Sequence, residues 1–155
     1  MSDHGLVRYL VLGLLATVVL AGCGGEVDPA TTPAGAAQVR LIEDLYNGHF
    51  GKAYALLHPT HQEWVSRSLF VECARRSIAV HRLDSVEVLD VFDDPIRAPG
   101  LGETRAKAVR LRLTSTAGET RTLVNHEVKV GNTWRWILNA AAIRSYRSGT
   151  CPRGE

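Results

Sequence analysis

Two side chains in the C-terminal half have the chemistry of a proton-transfer pair. His126 lies in "TRTLVNHEVKV", where it alternates with Val124 and Val128 and so shares their side of an extended segment. Asp90 lies in "SVEVLDVFD", and the same alternation groups it with Val88 and Phe92. An imidazole and a carboxylate on an apolar wall can take up and return protons, because burial and neighbouring charge tune their pKa values. The same residues also read as a satisfied structural histidine and an aspartate at a frayed strand end; alternation does not say that they meet. A second group, "HPTHQE", brings His58, His61 and Glu63 together. Zinc accepts imidazole and carboxylate ligands, three of them from the protein in a catalytic site. Here Pro59 keeps the two histidines off one regular helical face, and there is no HExxH. The stretch therefore reads as a helix start with exposed histidines, and no metal is expected. No GxSxG elbow or P-loop is present, and "GLGETR" lacks the third glycine and preceding strand of a dinucleotide fingerprint. No cofactor is expected.

Tyr46, Tyr54, Trp64, Trp134 and Trp136 are the aromatic residues placed to line a ligand pocket, with Tyr46, Tyr54, Trp64 and Trp136 the chosen set. The reading preferred for them is core, since aromatic side chains bury the most area. The elements that must hold these groups follow from two periods. Val39, Leu41, Ile42, Leu45 and Tyr46 recur at helical spacing, ended by Asn47-Gly48. A short helix over 50–57 runs into Pro59. A third is expected from Thr60, with Glu63 completing a capping box and Trp64, Val65, Leu69, Phe70 and Cys73 as one apolar stripe reaching Arg76. Beyond that the period becomes two. Strands are expected over 85–93, in "TRAKAVRLRLTST", in "TRTLVNHEVKV" and in "TWRWIL", with "DDPIRAPGLGE" as a loop. The apolar phase shifts between Ala108 and Val109, which predicts a β-bulge there. "AAAIRSY" either extends the last strand or forms a short final turn. Helices first and antiparallel strands after indicate an α+β fold, N-terminal helices packed on a curved four-stranded antiparallel sheet.

The N-terminus gives the location. Leu6 to Ala21 is almost wholly apolar, with Arg8 near its start; the run after Arg8 is shorter than the roughly 20 residues of a membrane span and matches the apolar region of a secretory signal. Leu20-Ala21-Gly22-Cys23 follows and resembles the lipobox of bacterial lipoproteins, with Cys23 the modified residue. That resemblance implies cleavage before Cys23, a diacylglyceryl thioether, and anchoring at a cell membrane outside the cytoplasm, since each acyl chain adds about 0.8 kcal/mol per buried methylene. An uncleaved membrane anchor, or a secreted protein with a chance cysteine, are the other readings. Residues 1–22 are thus expected to be a signal peptide, 23–36 a flexible tether rich in Gly, Pro, Thr and Ala, and 37–155 one domain. In an oxidising compartment the two remaining cysteines, Cys73 and Cys151, are expected to pair, two unrelated thiols being the alternative. The net charge of +2 and the dispersed basic residues, including those of "RAKAVRLR", give no nucleic-acid footprint.

Two stretches resemble the NTF2-like (cystatin-like cone) superfamily over about residues 36–140: "LYNGHFGKAYALLHPTHQEWV", with its helix, short A-Y-x-L-L helix and proline stop, and "VKVGNTWRWIL", a hairpin into a tryptophan strand. The resemblance implies a cone with a cavity between sheet and helices, and not a reaction, because this fold carries isomerases, dehydratases, cyclases, transport factors and proteins without chemistry. The expectation is a membrane-anchored, non-enzymatic lipoprotein that binds a partner protein or small apolar ligand. The alternative is an isomerase- or dehydratase-type enzyme working through His126 and Asp90; a lipid or metabolite carrier is a third possibility.

Overall fold

The computed structural model describes residues 27–78 and 82–153. The expected signal peptide, Cys23 and the first part of the expected tether lie outside the described residues. The rest of that tether is helical. Asp28 caps a 3-10 turn over Pro29–Thr31, and Thr32 caps α1, Pro33–Tyr46, by accepting from the Gly35 amide at 3.1 Å. Gly35 is required there: a Cβ at this position would lie 2.2 Å from the Pro29 carbonyl oxygen. The ordered domain therefore starts at least eight residues earlier than composition implied, since a Thr-Pro pair that reads as linker is also a cap followed by a residue preset for the first helical turn.

Four further helices follow: α2 is Phe50–Ala55, α3 Pro59–Trp64, α4 Arg67–Ile78 and α5 Ala140–Arg147. The expected third helix is thus two. Val65 turns to an extended conformation, and the Ser66 hydroxyl accepts from the Leu69 amide at 3.3 Å, starting α4 afresh. The cap of α3 is His58, whose Nδ1 accepts from the Thr60 amide at 3.2 Å, rather than Thr60. "AAAIRSY" is the helix α5, with Asn139 accepting from the Ala142 amide at 2.7 Å.

The main sheet is antiparallel, in the order β1 (Leu83–Asp93), β4 (Ala106–Ser115), β5 (Thr120–Val130), β6 (Thr133–Trp136). The segment read as a loop instead forms a small hairpin, β2 (Ile96–Ala98) with β3 (Gly102–Thr104). The irregularities lie in β1, where the register slips between Leu83 and Ser85 and again, at a bulge, between Val88 and Asp90; β4 runs against β5 without a break. Ala106 and Ala108 are buried on one face of β4 and Val109, Leu111 and Leu113 on the other. It is burial on both sides of the sheet, and not an extra residue, that shifts the apolar phase.

α1 lies across one face of this sheet. Ala34 and Ile42 share a core with Val88, Val109, Leu111 and Leu113. A second core joins Leu41 and Ala53 to Phe70, Cys73, Ile143 and Tyr146. Cys73 in α4 is bonded to Cys151 beyond α5, with their Cα atoms 5.2 Å apart. Among the described residues no helix is long and apolar enough to cross a membrane.

Candidate functional site

The pleat of β5 decides which polar groups face where. Glu127 pairs with Trp136, and Leu123 with Leu111, so Leu123, Asn125 and Glu127 point toward α1 while Val124, His126 and Val128 point to the outer face. This inverts the expectation for His126. Its strand does alternate, but the more apolar set is the outer one, and Val124 remains 44% exposed. Asp90 also changes company. The bulge leaves Val88 opposite Leu111 on the inner face and sets Asp90 opposite Arg110 on the outer one. Asp90 and His126 therefore share a face, but Asp90 aligns through Arg110 with Val124, whereas His126 aligns through Ala108 with Phe92. Two strand spacings of about 4.8 Å, plus one step along the strands, separate them. The partner of His126 is Asp94, just past the end of β1, at 2.8 Å from Nε2 to Oδ2.

The interior polar group is one that periodicity did not single out. Gln38 of α1 donates from Nε2 to Glu127 Oε1 at 2.6 Å and accepts from Asn125 Nδ2 at 2.9 Å. Gln38 and Glu127 are 0% and 1% exposed. Burial pushes the Glu127 carboxyl up to about 8, against the opposing influence of the Gln38 hydrogen bond and the nearby Arg135 charge. Its second oxygen, Oε2, makes no hydrogen bond. Sequence did carry a signal: Gln38 lies on the apolar stripe of α1, between Ala34 and Leu41, where a polar residue needs a partner.

Of the "HPTHQE" histidines, His61 is fully buried rather than exposed. Its Nε2–H donates to the Pro99 carbonyl at 2.9 Å and its Nδ1 accepts from the Leu138 amide at 3.1 Å. These bonds demand the neutral ring, and burial lowers its pKa. Trp64 stacks on His61 at 5.9 Å, under Gly100, whose φ of +72° and lack of a Cβ let the hairpin settle on the indole. Among the described residues no three His, Cys, Asp or Glu side chains converge as a metal site.

The aromatic candidates separate. Tyr46 lines clefts at the far end of the sheet, near Leu83 and Arg82. Tyr54 donates its hydroxyl to the Val65 carbonyl at 2.8 Å and packs on Phe70. Trp136 donates Nε1–H to the Ala53 carbonyl at 3.2 Å and also meets Phe70. Tyr54 thus ties α2 to the end of α3 and to α4, Trp136 ties the sheet to α2 and α4, and Trp64 supports the hairpin. His126 lines a different pocket, of about 280 Å³, walled by Ile96 and Ala98 of the hairpin and by Ile137 and Leu138 ahead of α5, with Val124 and His126 below.

The arrangement of helices on a curved antiparallel sheet has a solved counterpart. A Campylobacter jejuni protein described as an NTF2-like transpeptidase superposes with a TM-score of 0.52 and 8% identity, covering 67% of this chain and 96% of that one. The domain fold is NTF2-like; at that identity nothing of the neighbour's activity carries over. No protein-family model matches the sequence, and no curated protein matches it.

Proposed function

We propose that this chain is an exported lipoprotein, held at the outer side of a cell membrane through Cys23, whose NTF2-like domain is a non-catalytic binding module for a partner protein or a small apolar ligand. One observation carries the reading. The chain has three cysteines, and Cys73 and Cys151 are bonded to each other, which leaves Cys23 to the chemistry its lipobox-like context implies. A structural disulfide belongs to an oxidising compartment, the same side of the membrane on which a lipoprotein resides. The buried interior supports the non-catalytic part: Gln38 bonds to both Glu127 and Asn125 on the face toward α1, and Gln38 and Glu127 are shielded from water. The test is fractionation of the native host with intact-mass measurement. The expected chain starts at Cys23, carries diacylglyceryl mass and pellets with membranes, and Cys23→Ser moves it out of that fraction. An unmodified chain beginning at Met1 in the soluble fraction would overturn the reading.

Acid–base catalysis is the second reading, and the observation favouring it is the His126–Asp94 contact in place of the expected His126–Asp90 pair. A carboxylate holding one ring nitrogen orients the other for proton transfer. Turnover of any substrate that is lost in His126→Gln, with folding intact, would favour this reading over the first.

A further inference from the structure

We infer that the outer pocket beside His126 is a preformed site for a small, neutral, largely apolar molecule bearing one hydrogen-bond donor, a phenol being the simplest representative. The inference rests on the binding-module reading above, though not on the lipid anchor. Three features of the pocket lead to it.

Its width is set by the protein itself. One wall is the β2–β3 hairpin and the other is the link into α5, and His61 bonds to both, through Pro99 on one side and Leu138 on the other. Burying an imidazole completely is unfavourable unless both nitrogens are satisfied. Here they are satisfied only while the two walls keep their separation, so a ligand meets a gap already formed and loses little ordering entropy on binding.

Its lining mixes apolar and polar residues, and of the polar side chains Arg97 bonds to Glu103, Asn125 to Gln38 and the Asn139 Oδ1 to the Ala142 amide, with the His126 ring beside them. Ile96, Ala98, Val124, Ile137 and Leu138 supply the apolar surface. In the neutral ring that donates Nε2–H to Asp94, Nδ1 is left as an acceptor, and Nδ1 makes no hydrogen bond to a described residue. An apolar body with an O–H is the complement of that surface.

Its charge disfavours anions. Asp94 sets a carboxylate against His126, and the one guanidinium on the lining, Arg97, is matched by Glu103 at 3.2 Å. A volume of about 280 Å³ suits a one-ring molecule.

The experiment follows amide shifts of the full-length, ¹⁵N-labelled protein in nanodiscs during titration with phenol, anisole and benzoate, free probe being fixed by dialysis. Phenol is expected to give saturable shifts at residues 96–98, 124–126 and 137–138. Anisole, which keeps the ring but not the donor, binds roughly fivefold more weakly, as expected for one lost hydrogen bond. Benzoate does not saturate. His126→Phe erases the preference for phenol over anisole. Val124→Trp, a substitution at a half-exposed position, fills the pocket and abolishes the shifts with the thermal midpoint kept. Equal binding of phenol and anisole, tighter binding of benzoate, or shifts centred on Tyr46 and Arg82 would overturn the inference. Each of those results leaves the mass and fractionation of the anchored chain unaffected, so the two readings fail separately.

Discussion

Glu127 and His126 are consecutive residues of one strand, and the pleat sends them to opposite worlds. Glu127 faces α1, is 1% exposed and bonds to Gln38. His126 faces outward, keeps 27% of its side chain exposed and bonds to Asp94, itself 42% exposed. Both pairs are short polar contacts, at 2.6 and 2.8 Å. What separates them is the medium. In the dry interior the Glu127 carboxyl is forced toward its neutral form and acts as a fastening between helix and sheet. At the wet rim the same kind of contact is weak as a fastening and leaves a ring nitrogen available to something from outside. Under the proposed reading, fastening and ligand contact are divided between the two faces of β5.

The largest expected effect would break the comparison by removing the charge from its inner half. The Glu127 pKa is raised from an ordinary value near 4.5 to about 8 in the folded chain. The folded state then holds its proton where the unfolded state has lost it. The carboxyl's contribution is complete below pH 4.5 and is lost as pH climbs from there through 8. Glu127→Gln lacks this loss. Urea unfolding should show the variant more stable than the parent at pH 9, on the order of several kcal/mol, with the two converging near pH 4.5.

Next is the loss of the inner partner. Gln38→Leu leaves Glu127 and Asn125 facing an apolar side chain, and unfolding at pH 7 should cost about 3 kcal/mol. His61→Phe tests whether buried fastening also holds the outer pocket together. It leaves the Pro99 carbonyl and Leu138 amide unsatisfied, with an expected loss of about 2 kcal/mol and faster amide exchange at both walls. The smallest effect sharpens the outer half: Asp94→Asn should change stability by less than about 1 kcal/mol. A larger loss there would mean that the outer pair is structural after all.

Most of the order of elements was legible because the period changes from helical to two near residue 80, whereas the return to helix in α5 is too short a segment to declare its period. The faces were less so. In β5 the rule that the apolar set points inward chose Val124, His126 and Val128, because a local pattern does not contain Gln38, 87 residues away from Asn125, which makes polar residues acceptable inside. In β1 the bulge exchanged the side of every residue past Leu89 and so separated Asp90 from Val88. The hairpin is two three-residue strands around Pro99-Gly100, too short to establish alternation. His61 was read as exposed because its partners are backbone groups of Pro99 and Leu138, which no side-chain pattern reports. The pairing of Cys73 with Cys151 needed only the count of cysteines and a compartment.

That bond also decides how the domain carries mechanical load. The strands of both sheets lie between residues 83 and 136, wholly within the covalent loop that runs from Cys73 to Cys151. Tension applied between the two ends of the chain passes through the first three helices and the start of α4, crosses the sulfurs and leaves by the last few residues. The covalent path between the sulfurs is bypassed, so the backbone of the strands is not itself in the line of tension while the chain is pulled.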